Sequence, residues 1–289
     1  MPKASNPAIL YESDTLYAIK GDFFEVKFNR KNGMLSSYSI NNKELIKAPV
    51  RFNFRRALTD NDRGWKVGEK MKIWQDAGLH YTVQQFHITS SDKDKTVIKG
   101  EYAFTDSKAT AIIEHTVFAN GTIEIEYNIS IPLNLPNIPR IGLQFEIEKE
   151  LQNIDWYGRG PHENYIDRES GAAIGIYQTT LNQWITPYVR PQENSNRGGI
   201  RWLRFSQGTH QLQFSAVGEP FCASAWPYTI STLEQTTHDF ELKMHNNIIV
   251  DIDCNQMGVG GDCSWGLPVL QKYQIKPGKY QYKFIISAK

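Results

Sequence analysis

The sequence predicts an all-β protein built as a large antiparallel sandwich of two sheets. Three observations support this prediction. Apolar and polar residues alternate with a period of two, as side chains do on the two faces of a strand. Asn-Gly, Gln-Gly and Pro-Gly pairs, which favour turns, separate the short alternating runs. Helical patterns are few, so short strands joined by turns account for most of the chain.

The clearest strand pattern covers residues 122–131. Its odd-numbered positions are Ile or Tyr, while Thr, Glu, Asn and Ser occupy the even-numbered ones. Just before it, Asn120 and Gly121 follow a second strand pattern at residues 113–118. Both residues tolerate positive φ, so the pair predicts a hairpin closed by a type I′ turn.

The same pattern recurs at three other places. It predicts a hairpin around Asn32-Gly33, a second hairpin around Gln207-Gly208, and a last strand after Pro277-Gly278 with one aromatic and apolar face.

Two segments favour short helices. Residues 65–79 carry apolar side chains at loosely helical intervals, which predicts a helical turn there. The run Ser231-Thr232-Leu233-Glu234 fits a capping box, in which the serine hydroxyl and the glutamate carboxylate each accept an N–H that the helix leaves unpaired. No change of composition divides the chain, so we expect one domain over residues 13–289 and a linker or expression remnant over residues 1–12.

Composition argues against several classes of protein. The chain has 32 basic and 31 acidic side chains, a net charge of +1, and no basic stripe of the kind that binds nucleic acid. No apolar run approaches the roughly 18 residues of a membrane span. The polar start lacks the apolar core of a signal peptide. Cys222, Cys254 and Cys263 are odd in number and widely spaced, so we expect free thiols rather than a disulfide framework or a zinc site.

The run Met-Gly-Val-Gly-Gly-Asp-Cys-Ser-Trp at residues 257–265 is the most unusual segment. Its glycines lack the spacing of a nucleotide-binding loop, and no Gly-Lys-Ser/Thr follows. Glycines allow tight backbone conformations and close approach of neighbouring chains, so we expect this loop to present Trp265 at an edge of a sheet. An indole there is either a core side chain or a platform for a sugar ring, and the residues alone favour the core.

Two further segments are rich in polar residues. Thr-Asp-Asn-Asp-Arg-Gly at residues 59–64 lacks the ligand positions of an EF-hand, and Asx-type turns explain it without a metal. Residues 157–168 include Glu163 and Asp167, which are candidates for a general acid, but a structural network of arginine–carboxylate pairs is favoured. Neither H-E-x-x-H nor G-x-S-x-G occurs, so the residues by themselves indicate no reaction.

Four runs, in this order, resemble the C-terminal domain, or separately encoded small chain, of family-two β-galactosidases. They are Arg-Ala-Leu-Thr-Asp-Asn-Asp-Arg-Gly at residues 56–64, Tyr-Gly-Arg-Gly-Pro-His-Glu-Asn-Tyr-Ile-Asp-Arg at 157–168, Thr-Pro-Tyr-Val-Arg-Pro-Gln-Glu-Asn at 186–194, and the loop at 257–265. The similarity covers nearly the whole chain from about Ser13 onward. It implies a sandwich of the galactose-mutarotase-like type.

The resemblance also implies an activity and partners. It implies hydrolysis of terminal β-D-galactosides such as lactose by a retaining enzyme whose two catalytic glutamates lie on a TIM barrel outside this chain. It implies no catalytic residue, cofactor or metal in this chain, since the Mg and Na ions of the family bind mainly in other domains. The expected partners are the barrel portion and a galactoside substrate in an oligomeric enzyme, not nucleic acid or a membrane. A natural small chain would be expected in the cytoplasm.

Two features of this chain are implied to serve the sugar site. Trp265 is implied to stack on the sugar, which reverses the preference for a core role. The segment near the site that moves as it closes comprises Asp60, Asn61, Asp62, Arg63 and Gly64.

Two other functions remain open. The first is a stand-alone carbohydrate-binding module in which Trp265, with Trp156, forms the platform. The second is an aldose 1-epimerase, which requires a histidine and a carboxylate on facing strands, and no such pair is identified in the sequence.

Overall fold

Two antiparallel sheets face each other in the computed structural model, which describes residues 6–261, 263 and 266–289. The strands are β1 (Ile9–Glu12), β2 (Leu16–Lys20), β3 (Phe24–Asn29), β4 (Met34–Ile40), β5 (Lys43–Ile46), β6 (Arg51–Asn53), β7 (Tyr81–Ser91), β8 (Lys95–Phe104), β9 (Thr110–Phe118), β10 (Ile123–Ser130), β11 (Arg140–Ile147), β12 (Asn153–Gly160), β13 (Ala173–Thr180), β14 (Arg197–Ile200), β15 (Trp202–Gln207), β16 (His210–Ala216), β17 (Phe221–Trp226), β18 (Ile248–Gln256) and β19 (Lys279–Ala288). The predicted all-β sandwich is confirmed.

The strands of each sheet are not in chain order. The first sheet runs β1-β2-β3-β4-β5-β11-β18-β17-β14, with β6 paired to β11. The second runs β13-β12-β15-β16-β19-β10-β9-β8-β7. Because β18 lies between β11 and β17, it is buried along most of its length, and the chain leaves its end directly into the glycine-rich loop at residue 257.

The core lies between the sheets. In β10 the predicted inward residues, from Ile123 to Ile129, are buried, and the intervening polar residues are partly exposed. Aromatic rings bridge the two sheets. The ring centroid of Phe52 of β6 lies 4.9 Å from that of Phe104 and 5.1 Å from that of Tyr102, both in β8. Alternation therefore produces the core, because each strand turns its apolar side chains toward the facing sheet.

The turn at Asn120-Gly121 joins β9 and β10 as predicted, but it is not of type I′. Gly121 has a φ of +79°, whereas Asn120 does not have a positive φ. The Phe118 N–H donates to Thr122 O at 2.8 Å, and the Gly121 N–H donates to Phe118 O at 2.9 Å. These bonds close a three-residue loop with a left-handed glycine at its last position, which needs positive φ at one residue only.

In the part of the chain that the structure describes, four short helices lie between the strands: α1 (Asp60–Gly64), α2 (Val67–Lys70), α3 (Leu181–Trp184) and α4 (Ile230–Gln235). Short 3-10 turns cover Lys72–Trp74, Asp239–Glu241 and Gln271–Tyr273. The predicted helical turn within residues 65–79 is present as α2 and the first of these turns. None of the helices in the described ranges has the length and apolar character needed to cross a membrane.

The capping box predicted at Ser231 and Glu234 is wrong. Thr229 caps α4, since its hydroxyl accepts the Thr232 N–H at 3.0 Å and its backbone is extended. Ser231 already lies inside the helix, and Glu234 pairs with Arg55 instead.

The ordered sheet begins earlier than the predicted linker boundary. Within residues 1–12, Ile9–Glu12 forms β1 and pairs with β2 in an antiparallel register from Ile9–Lys20 to Glu12–Tyr17.

Candidate functional site

The four sequence motifs meet at one corner of the sandwich, although they are far apart in the chain. We call this region the motif corner, defined as residues 56–64, 157–168, 186–194 and 257–261. It draws on both sheets, since the loop at 257–261 follows β18 of the first sheet and residues 157–168 continue β12 of the second. Hydrogen bonds join all four segments.

Helix α1 forms because Thr59 and Asp62 cap it reciprocally. The Thr59 hydroxyl accepts the Asp62 N–H at 3.0 Å, and the Asp62 carboxylate accepts the Thr59 N–H at 3.1 Å. This is a capping box with Asp in place of the usual Glu. Residues 59–64 therefore form a capped helix instead of the expected Asx-type turns.

Arg56 joins α1 to the glycine-rich loop. Its guanidinium contacts Asp62 at two points, Nε to Oδ2 at 2.9 Å and Nη2 to Oδ1 at 2.8 Å. It also donates to the carbonyls of Met257 at 2.5 Å and Gly258 at 2.9 Å. Burial lowers the pKa of Arg56, but Asp62 and Glu193 outweigh it and leave the pKa above its ordinary value. Arg56 is thus a permanent cation that fixes two carbonyls of the loop.

Two more side chains hold the same loop. Asn61 of α1 donates from Nδ2 to Val259 O at 2.8 Å. Asp167 accepts two successive backbone N–H groups on its Oδ2, from Val259 at 3.0 Å and from Gly260 at 2.6 Å. A Cβ on Gly258 would lie 2.6 Å from Asp167 Cγ, so a larger residue there would displace this carboxylate.

The segment at residues 186–194 supports α1 from another side. Gln192 accepts the Asp60 N–H at 3.0 Å and donates to the Asp60 carboxylate at 3.1 Å. Arg190 lies 3.6 Å from the same carboxylate. The Glu193 N–H donates to Ala57 O at 3.1 Å. Residues 56–64 are therefore bonded on two sides.

A buried ionic cluster lies beneath the corner. Arg140 donates to Glu193 at 2.9 Å, forms an ion pair with Asp251, and lies 3.1 Å from Asp253. All four side chains are fully buried. Burial raises the pKa of Glu193, Asp251 and Asp253, against the opposing charge of Arg140. Glu193 also accepts from Gln256 at 2.8 Å, which ties the segment at 186–194 to the end of β18.

The structural network predicted for residues 157–168 is present. The Glu163 carboxylate is buried, pairs with Arg168 and accepts the Tyr188 hydroxyl and the Ser195 N–H, the last at 2.7 Å. Asp167 is engaged by the glycine-rich loop. Both carboxylates considered as general acids therefore hold neighbouring segments in place.

The structure describes some of the residues predicted to serve a sugar site and not others. Trp265 lies outside the described residues. The segment from Asp60 to Gly64 lies in α1, and its movement stays a prediction. Trp156, the second candidate platform, is buried and packs against Tyr177 and Trp184 with ring centroids 5.2 Å and 4.9 Å away. It is a core residue and cannot serve as a sugar platform.

Among the described residues, a cleft of about 440 Å³ is lined by residues such as Gln152, Tyr228 and His245 and by none of the motif corner. Within the described part of the chain, no group of three or more His, Cys, Asp or Glu side chains is arranged to hold a metal ion. Cys222 and Cys254 are free thiols, and burial raises their pKa to about 12 and about 11.

Sequence comparison identifies relatives across the chain. Residues 20–286 match the family described as Beta galactosidase small chain. The β-galactosidase of Priestia megaterium (strain DSM 319 / IMG 1521) is 33% identical over 275 residues, which cover 94% of this chain and 26% of that protein. The β-galactosidase of Streptococcus thermophilus is 32% identical over 283 residues, which cover 97% of this chain and 28% of that protein. The chain spans about a quarter of the length of these relatives.

A solved structure shares the fold. Galactose 1-epimerase from Lactobacillus acidophilus NCFM superposes with a TM-score of 0.57 over 99% of both chains, at 8% sequence identity. This likeness confirms the galactose-mutarotase-like sandwich and concerns the fold alone. The family match over residues 20–286 shows that the chain belongs to the β-galactosidase small-chain family.

Proposed function

We propose that this chain is the C-terminal domain or small subunit of a retaining, family-two β-galactosidase and completes its sugar site beside a TIM barrel. The substrates of that enzyme are terminal β-D-galactosides such as lactose. The support comes from the family match and from relatives named β-galactosidase that are about four times longer than this chain. The bond-breaking step then belongs to two glutamates of the barrel.

The observation that carries the proposal is the motif corner. Four segments far apart in the chain converge there, and two of them, residues 56–64 and 157–168, bond to the backbone of residues 257–260. Buried charges and a glycine required for close packing are costly to maintain for stability alone. A loop held in this way serves to present a side chain in a fixed position, which is what a neighbouring active site needs.

The chemistry divides between the two parts. A retaining glycosidase places a nucleophile and an acid–base carboxylate about 5 Å apart on either side of the glycosidic bond. In the motif corner, Glu163 and Asp167 are bonded to the surrounding chain, so neither is free for that role. Trp265 supplies an apolar face for the leaving-group or acceptor sugar, and the segment at residues 60–64 shifts as the site closes.

A reconstitution experiment tests the proposal. The chain is assayed on a chromogenic β-galactoside alone and after mixing with the barrel-bearing portion encoded beside it or in frame with it. We expect no hydrolysis by the chain alone and hydrolysis by the mixture. Saturable binding of galactose to the isolated chain, with no effect on the barrel portion, would favour a sugar-binding module instead. Faster mutarotation of fresh α-galactose would favour an epimerase.

A further inference from the structure

We propose that Asp167 is a positioning residue for the approach to Trp265, a role that rests on the proposed function. Its carboxylate accepts the N–H groups of Val259 and Gly260, 92 and 93 residues further along the chain. Trp265 follows five residues after Gly260. In this proposal Asp167 acts on the sugar through the backbone of this loop.

The geometry favours a charged acceptor at this point. Two successive N–H groups converge on one oxygen, at 3.0 and 2.6 Å, which is the arrangement of a backbone anion nest. Hydrogen bonds to an ionised carboxylate are shorter and stronger than those to a neutral acceptor. The Asp167 carboxyl also packs against Gly258, since a Cβ built on that glycine would lie 2.6 Å from Asp167 Cγ.

The bonds of Asp167 to Val259 and Gly260 link the two sheets. Asp167 lies in the connection from β12 to β13 of the second sheet, whereas Val259 and Gly260 follow β18 of the first. Arg56 and Asn61 also hold the loop, but both come from the segment that follows β6 of the first sheet. Asp167 thus fixes the loop relative to the second sheet, a constraint that Arg56 and Asn61 do not supply.

The first test measures the loop directly in the 289-residue chain. Amide hydrogen exchange is compared for wild type, Asp167→Ala and Asp167→Asn. We expect exchange in peptides covering residues 257–261 to rise about 10- to 100-fold in Asp167→Ala, the factor for losing a hydrogen bond to a charged group. Asp167→Asn keeps one acceptor oxygen, so its exchange rate should lie between those of wild type and Asp167→Ala. Unchanged exchange in Asp167→Ala would overturn the proposal.

Glu169→Ala is the matched control. Glu169 lies two residues further along the same connection and pairs with Arg159 at 3.2 Å rather than with the loop. Its loss should leave exchange at residues 257–261 unchanged. An equal rise in this control would mean that any disturbance of the connection loosens the loop, and the specific role of Asp167 would be lost.

The second test separates positioning from stability in the reconstituted enzyme. We expect Asp167→Ala to lower kcat/KM about tenfold in the wild-type background and less than about twofold when Trp265 is already Ala, because both changes remove the same interaction. Equal losses in the two backgrounds would overturn the proposal. If the wild-type chain restores no hydrolysis, the proposed function fails, while the exchange experiment still decides whether Asp167 holds the loop.

Discussion

Arg56 and Asp62 form a two-point ion pair in which the side chains are 0% and 1% exposed, with nitrogen–oxygen distances of 2.9 and 2.8 Å. The same guanidinium holds the carbonyls of Met257 and Gly258. One side chain thus connects the cap of α1 to the first residues of the glycine-rich loop. The two segments that the family resemblance assigns to the sugar site are parts of one bonded unit.

Arg56→Met should destabilise the fold strongly. It leaves Asp62 as a buried charge without its cation and removes the donors to two carbonyls, so we expect a loss of about 3 to 5 kcal/mol in the free energy of unfolding. Arg51→Met is the matched control, since Arg51 is half exposed and its pair with Glu146 should contribute below about 1 kcal/mol. Urea denaturation measures both. Similar losses in the two variants would contradict the importance of the buried pair.

Gly258→Ala should displace Asp167 from the loop. The new Cβ would lie 2.6 Å from Asp167 Cγ, so the carboxylate must move and its bonds to Val259 and Gly260 weaken. We expect a loss of about 1 to 3 kcal/mol, the usual range for overpacking. Gly171→Ala is the control, because a Cβ there has no atom within 4 Å. Thermal unfolding compares the two variants. If the Gly258→Ala variant is as stable as the Gly171→Ala control, a Cβ at residue 258 does not displace Asp167.

The stability of the chain should fall as the pH drops below neutral, partly because of His115. This ring is buried 4.9 Å from Phe28, and burial lowers its pKa from 6.5 to about 3. The unfolded chain therefore binds a proton between about pH 6.5 and pH 3 that the folded chain excludes. The stability that the neutral ring contributes is complete above pH 6.5 and is lost as the pH falls toward 3.

His115→Leu should reduce this pH dependence. Between pH 7 and about pH 3 we expect the variant to lose roughly 3 to 5 kcal/mol less than wild type, because the titrating group is gone. Denaturation at a series of pH values gives the difference, and values above pH 7 serve as the internal control because the ring is neutral in both states there. Parallel curves for the two proteins would show that His115 does not titrate on unfolding.

Much of the fold was predictable because it depends on local patterns. The alternation in β10 and the glycine turns reflect period-two burial and positive φ, which neighbouring residues determine. The type I′ turn was wrong because Asn-Gly also suits a three-residue loop, and the choice depends on the strand register. The cap at Ser231 was wrong because Thr229, two residues earlier, offers an equally good hydroxyl.

The candidate site was less predictable because its contacts are long-range. The capping box of Thr59 and Asp62 was visible in the sequence, since the two residues are three apart, but it uses Asp rather than the usual Glu. The contacts of Arg56 with Met257 and of Asp167 with Gly260 span 201 and 93 residues. Local pattern carries no information on such pairs, and only the order of strands in the sheets brings them together.

Trp265→Ala should leave the domain folded and weaken the use of acceptor sugars. A side chain that stacks on a sugar contributes affinity without supporting the core, so we expect near-wild-type unfolding and about a tenfold loss in acceptor use in the reconstituted enzyme. Circular dichroism during urea denaturation and a transglycosylation assay give the two values. An unfolded variant would favour a core role for the indole.

In the proposed function, this chain completes an active site whose catalytic carboxylates lie elsewhere. The most direct measurement titrates the chain into a fixed amount of the barrel-bearing portion and follows the initial rate of chromogenic β-galactoside hydrolysis. We predict no hydrolysis by either part alone and a rate that rises with added chain until about one chain is present per barrel. Hydrolysis by the chain alone, or a rate that does not depend on its concentration, would contradict the account.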